Sequence, residues 1–262
     1  MGIGDLGVRA VRSMASYVPS RSLLGLRELR DLPARAMGRV HEHDFRALSH
    51  FDRHPSTVLD VGANRGQSIR SLRLVLDHPC VVAVEPHRHL ATHLRRRFPD
   101  VRVENVGLGD RRGRLDLHVP VYGHTAWDTR AAGERGLAEE FLAPESFLAF
   151  SPTRARVVLE AVDLVPMDDL DVDPDIIKVD VEGADLAALQ GGERTIARCR
   201  PVLLVEHPAP GSTALLAAFG YRAFTFTRDR LVLGATDSLN TFFLTEDHVA
   251  RVPAGMLDLT VR

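Results

Sequence analysis

Lysine is almost missing from this 262-residue chain: of its 33 basic residues, Lys178 alone is one. A skew that strong reads as the codon use of a GC-rich genome, so single arginines are discounted as signals of guanidinium chemistry. Cysteine is scarce as well. Cys80 and Cys199 have neither the number nor the spacing of a disulfide framework or a zinc site, which fits a reducing cytoplasm with both thiols buried. No run approaches the roughly 18 apolar residues of a membrane span. The opening MGIGDLGVRAVRSM lacks the apolar centre of a secretory signal, and Leu6 stands where a myristoylation site has Ser or Thr. An excess of positive charge is also absent. The net charge of −2 argues against nucleic acid as a partner.

What is present is the balance of an ordinary globular enzyme, 45% hydrophobic and 26% charged, long enough for one sizeable core. The expected organisation is an N-terminal helical extension or lid over residues 1–50, a main domain over 51–250, and a tail over 251–262. The first 40 residues carry seven arginines against Asp5, Glu28 and Asp31, and their apolar residues fit one helical face. That pattern suits a lid or dimer arm better than contact with a membrane surface. His41 to Ser49 reads as a helix with Phe45 and Leu48 facing inward. From Thr57 onward, strand patterns (VLDVG, VVAVEP, VRVENVG) alternate with helical ones (Gln67 to Leu76, His89 to Phe98). Continuous apolar strands separated by helices indicate a doubly wound, mostly parallel α/β sheet. GLGDRRGRLDLHV reads as an antiparallel hairpin, and Tyr122 to Arg156 as an insertion that contacts substrate. The pattern resumes with VVLEAVDL, DIIKVDVEG, a helix from Ala184 to about Ala197, PVLLVEH, YRAFTFT and NTFFLT.

TVLDVGANRGQSIR places Asp60 at the tip of the first strand, ahead of a loop bounded by Gly62 and Gly66. Ligands of doubly wound sheets bind beyond such strand tips, and glycine lets backbone approach them closely. Glu85, ending the second strand, stands where a ribose-binding acid is expected, which admits a dinucleotide. Asp60 disfavours it, because a carboxylate beside a diphosphate is repelled while one beside an ammonium is attracted. S-adenosylmethionine carries that ammonium, has no phosphate, and offers a ribose diol to Glu85.

VLDVGANRG, the pair Glu85-Pro86, NVGLGD, IIKVDVEGADLAALQGG and RPVLLVEH, in this order, resemble the successive signatures of FkbM-type methyltransferases. The resemblance runs from about His41 to Leu244. It implies a seven-stranded class I methyltransferase sheet, Rossmann-like, with an antiparallel last strand. It also implies S-adenosyl-L-methionine as cofactor and O-methylation of a hydroxyl on a sugar, glycolipid or natural-product scaffold. Asp60, Gly62, Asn64 and Gly66 would then hold the methionine end, Glu85 the ribose, and Asn105 and Val106 the adenine.

Asp180 and Glu182 in KVDVEGAD fall on one face of an extended chain and would overlook the transfer site. His207, after the next strand, would serve as general base, since imidazole titrates near neutrality. Glu182 as a helix cap and His207 as a strand-end residue bonded to backbone are the structural alternatives. Asp180, Glu182, Glu206 and His207 also make a weak case for a divalent metal, though no local metal motif is present. Lys178 would anchor a carboxylate or snorkel to the sheet end. His87, His89 and His93, with Arg95 to Arg97, read as a solvated face. An NAD-dependent oxidoreductase and a non-catalytic cofactor-binding module are the alternative functions.

Overall fold

The computed structural model describes residues 40–51, 54–123, 125–127, 133, 135–146, 150–181, 183–234 and 239–259, with Arg12 and Tyr17. A 3-10 helix, His43–His50, leads into β1 (Thr57–Val61), α1 (Gln67–Val75), β2 (Cys80–Val84), α2 (Arg88–Arg97) and β3 (Arg102–Glu104). Next come β4 (Gly107–Leu108), β5 (Gly113–Tyr122), β6 (Thr125–Ala126), α3 (Arg135–Phe141) and β7 (Ala155–Val165). The chain continues through β8 (Ile176–Val179), α4 (Asp185–Gln190), α5 (Glu193–Cys199), β9 (Val202–Glu206) and α6 (Pro210–Ala218). It closes with β10 (Arg222–Thr227), β11 (Arg230–Leu233), β12 (Asn240–Leu244), α7 (Glu246–Arg251) and β13 (Leu257–Asp258). Two compact units result: Met1–Gly38 with Arg114–Val162, and Arg39–Gly113 with Asp163–Arg262.

The larger unit is built on a sheet of order β13-β11-β10-β12-β9-β8-β1-β2-β3. The run from β9 to β3 is parallel, and β12 lies antiparallel between β9 and β10. Seven of these strands match the expected arrangement, but the sheet has nine. The surplus begins at a two-residue turn, where Arg228 and Asp229 both take positive φ (50° and 58°) and fold β11 back on β10. Such primed turns favour Asn-Gly, so Arg-Asp gives no sequence signal. β13 then pairs with β11 through Leu231↔Leu257, drawing part of the expected tail into the sheet.

Alternation divides each buried strand between two cores. Val58, Ile176 and Leu204 join Phe45, Leu48 and Ile69 on one face, while Leu59, Ile177 and Leu203 join Ala188, Ile196 and Leu216 on the other. Phe45 and Leu48 are fully buried, as their spacing predicts. Asp60, Lys178 and Glu206 keep the parity of the first set. They therefore share the face lined by α1 and the N-terminal 3-10 helix.

Three local expectations are overturned. GLGDRRGRLDLHV is not a hairpin: β4 pairs in parallel with the end of β7, Gly107↔Leu164 and Leu108↔Val165. The helix from Ala184 breaks into α4 and α5 at Gly191-Gly192. There the Gly191 carbonyl accepts from Asp168 N at 2.9 Å, and a Cβ on Gly191 would overlap the Gly109 carbonyl. Neither cysteine is buried. Cys80 is exposed at the start of β2 and Cys199 is half-buried at the end of α5.

In the smaller unit β5 and β6 form a hairpin, Tyr122↔Thr125, and β5 neighbours β7. Its core holds Tyr122, Trp127 and Leu142, with Phe141 and Phe150 packed against them. Tyr122 Oη accepts from Ser151 N at 2.9 Å. Among the described residues no helix is long and apolar enough to cross a membrane.

Candidate active site

β1 delivers Asp60 to the sheet's carboxyl edge, opposite Lys178 of β8 and Ala83 of β2 in the strand register. Asp60 is fully buried. Its Oδ2 accepts from Ser68 Oγ at 2.5 Å, and its Oδ1 finds no partner among the described residues. Burial raises its pKa, against the pull of Lys178 and Ser68.

The loop after β1 is fixed from three sides. Gly62 N and Ala63 N both donate to Val84 O, at 2.9 and 3.1 Å. Gly62 has φ +82°, and a Cβ there would overlap the Asp180 carbonyl. Gly66, the N-cap of α1 at φ +77°, would drive a Cβ into Phe98. Both glycines thus permit a close approach of protein to protein. Asn64 takes a left-handed φ of 50° and sends its N–H to Glu85 Oε2 at 2.8 Å. Its side-chain oxygen is a second buried acceptor with no partner among the described residues.

Glu85 clamps the loop. Its other oxygen accepts from His87 N at 2.9 Å, and the residue is 5% exposed. Burial, helped by the charges of Asp60 and Asp180, pushes its pKa up to about 7 despite the two N–H donors. Asn105 donates its side-chain amide to the carbonyls of Glu85 and Pro86, at 2.9 and 2.7 Å, bracing the turn after β2. Val106 packs, partly buried, on the core of the opposite face. His87 is buried and its Nδ1 accepts from His89 N, capping α2, so it leaves the solvated face expected of it. Arg95, Arg96 and Arg97 are exposed, as expected.

Beside the loop lies a group of acids. Asp180 N donates to Val61 O at 3.0 Å, tying the end of β8 to the end of β1. Lys178, 2% exposed, places Nζ 2.6 Å from Asp180 Oδ2, so it anchors a carboxylate instead of snorkelling. Glu206 ends β9, in a register that pairs Val205 with Val179, next to Asp180. Burial first, then that neighbour, pushes its pKa up to about 7 against the pull of Lys178. Asn240, opposite Glu206 in the β9–β12 register, donates to Glu42 at 2.8 Å and Asp44 at 3.1 Å. His207 is exposed with φ 42°, and its N–H donates to Leu239 O at 2.9 Å. Glu182 lies outside the described residues.

The structure therefore gathers Asp60, Gly62, Asn64, Gly66 and Glu85 about one loop, and Asp180 with Glu206 beside it. Sequence reasoning missed Ser68, Glu42, Asp44 and Asn240. Ser68 looks like any helix residue, and Glu42 is 198 positions from Asn240, so neither carried a local signal. Among the described residues no group of three or more His, Cys, Asp or Glu side chains is arranged to hold a metal ion.

A family model, the Methyltransferase FkbM domain, matches residues 60–226. The chain belongs to the FkbM methyltransferase family. The match begins at Asp60 itself and ends in β10, so it includes the whole loop and both strand-end acids. No curated protein matches the chain. Among solved structures, the FkbM methyltransferase from Methylobacillus flagellatus KT is 18% identical, with a TM-score of 0.42. That alignment covers 84% of this chain and 60% of the other, so this chain spans less than two thirds of that relative. The fibrillarin of Aeropyrum pernix, solved with natively bound S-adenosyl-L-methionine, is 11% identical over 81% of this chain and 73% of its own (TM-score 0.38). An O-methyltransferase from Bacillus cereus, solved with SAH, is 13% identical over 90% and 96% (TM-score 0.37).

Proposed function

We propose that this FkbM-family methyltransferase moves the methyl group of S-adenosylmethionine to a hydroxyl of a sugar, a glycolipid or a natural-product scaffold. The observation that carries the reading is the pair of buried acceptors bounding the glycine loop, Asp60 Oδ1 and Asn64 Oδ1, which lack donors among the described residues. Buried acceptors without donors are costly, and a ligand rich in N–H and O–H groups satisfies them. A diphosphate, which brings only acceptors and negative charge, does not.

Asp60, with Gly62, Asn64 and Gly66, holds the methionine end, its negative charge favouring the ammonium. Glu85 receives the ribose: each of its oxygens accepts one backbone N–H and keeps further lone-pair capacity for a hydroxyl. Asn105 and Val106 border the adenine, Asn105 by fixing the turn at Pro86. S-adenosylmethionine supplies a methyl group on a positively charged sulfur. The chain's own contribution is to line up that carbon with the acceptor oxygen and to take up the hydroxyl proton. Alignment is worth about 7–11 kcal/mol in favourable intramolecular models, and a positioned base about two to four orders of magnitude. Asp180, Glu182 and His207 are the groups assigned to the acceptor side.

Calorimetric titration with S-adenosylmethionine and with NADH tests the cofactor, and transfer of labelled methyl to hydroxylated sugars and glycosides tests the chemistry. Binding of the sulfonium compound alone, with label on a hydroxyl, is the expected result. Tight NADH binding without a response to S-adenosylmethionine would refute it, and cofactor binding with label found only on nitrogen would refute the O-transfer.

A further inference from the structure

In the smaller unit one side of β7 is left over. The carbonyl just ahead of the strand, Arg154 O, accepts from Gly123 N at 2.9 Å, directly after β5. Alternate residues of a strand turn their N–H and C=O groups to opposite sides. Those of Arg156, Val158 and Glu160 therefore face β5, and those of Ala155, Val157, Leu159 and Ala161 face away from it. On that second side β4 pairs only with Leu164 and Val165, and among the described residues no strand runs beside Ala155–Asp163 there. The stretch is also bare on both faces: Val158 is 43% and Leu159 57% exposed, and Arg156 and Ala161 are exposed as well. An open apolar edge of this length is a template for another strand.

We propose that this edge pairs with the same edge of a second copy of the chain, antiparallel, about a two-fold axis through Val158. The strand is complementary to itself in that register. Val158 meets Val158, Val157 meets Leu159, Arg156 meets Glu160 and Ala155 meets Ala161, so apolar faces apolar, small faces small and each charge faces its opposite. The outward N–H and C=O groups of Val157 and Leu159 bond to those of Leu159 and Val157 in the second copy, and the two Val158 side chains meet at the closer, non-hydrogen-bonded position. Neighbouring registers lose the match. With the axis at Leu159, Arg156 meets Val162 and Glu160 meets Val158; with the axis at Glu160, like charges meet. With the axis at Val157, Arg156 meets Val158 and Glu160 reaches only Arg154, which lies in the turn before the strand with its guanidinium over the Tyr122 ring. Glu160 already has an interaction in its own chain, and Arg156 of the second copy is added to it. The pairing uses none of the residues assigned to cofactor or acceptor.

Sedimentation equilibrium of the full chain should give the mass of two chains at about 10–100 µM. Val158→Lys sets two ammonium groups against each other across the axis, and Arg156→Glu faces Glu160 of the second copy with a like charge. Each should shift the mass to that of one chain at the same concentrations, with an unchanged thermal melt. Exchanging the charges, Arg156→Glu together with Glu160→Arg, should bring the dimer back. The register is tested separately by oxidation. Val158→Cys places its two Cα atoms about 4.5 Å apart, within reach of a disulfide, whereas those of Leu159→Cys lie about 9 Å apart, beyond it. Mild oxidation should therefore link the Val158→Cys chains well beyond the parent, whose Cys80 is exposed, and the Leu159→Cys chains no more than the parent. Where Val158→Lys lowers the melt, this link decides. A parent of one-chain mass up to about 100 µM overturns the pairing, whatever else the edge then binds. So does a dimer that survives Val158→Lys, an exchanged pair that stays monomeric with its melt unchanged, or a Val158→Cys chain that links no more than the parent or Leu159→Cys.

Discussion

Replacing Glu85 by Gln changes one atom at the clamp of the glycine loop, and the structure fixes the sign of the resulting change in stability. Glu85 is raised from the ordinary 4.5 to about 7, burial first. A folded-state pKa above the unfolded one means that the folded protein binds the extra proton. The stabilisation is fully present below the unfolded pKa and is lost as pH rises through about 7. A shift of that size is worth about 3 kcal/mol in all, of which about 2.5 kcal/mol falls between about pH 5 and about pH 8. Gln abolishes this dependence, but its single carbonyl oxygen cannot serve both Asn64 N and His87 N. One buried donor is left facing an amide, at a cost of about 1–3 kcal/mol. Glu85→Gln should therefore be clearly less stable than the parent near pH 5 and close to it, or level, near pH 8. Urea unfolding of both proteins at the two pH values measures the gap. A gap of the same size at both would refute the assignment of this pH dependence to Glu85.

Gly62→Ala adds a Cβ that overlaps the Asp180 carbonyl at a φ of +82°, and strain plus overpacking should cost about 2–5 kcal/mol; an unchanged thermal melt would contradict the contact. Lys178→Met leaves Asp60 and Asp180 without their buried cation and should lose about 3–5 kcal/mol near neutral pH. The loss should shrink as acid protonates the carboxylates, and a deficit independent of pH in chemical denaturation would argue against the ion pair. His207→Ala should slow methyl transfer far more than it weakens S-adenosylmethionine binding, whereas small and equal losses in both would make His207 structural. Because His207 holds a φ of 42°, His207→Gly should leave the melting temperature level or raise it, and a fall would point to side-chain contacts.

Much of this protein is determined by short-range pattern. The nearly continuous apolar runs in TVLDV, IIKV and VLLVE, read against the helices between them, specify parallel strands covered on both faces, because a strand packed on both sides carries apolar residues at both parities. Strand alternation places Asp60, Lys178 and Glu206 on one face without any long-range contact. The ordered motifs resemble those of the FkbM methyltransferases, and the family match over residues 60–226 bears that resemblance out. Tertiary structure alone decided the rest, wherever the governing contact joins residues distant in sequence. Gly62 and Gly66 are required by the Asp180 carbonyl and the Phe98 ring, which the loop's own sequence does not mention. The break at Gly191 depends on the Gly109 carbonyl, and the edge strand β11 on two non-glycine residues in left-handed conformation. Charge behaves likewise. A glutamate's spelling carries no pKa, and Glu85 and Glu206 depart from ordinary carboxyls because folding strips their water and sets other acids beside them.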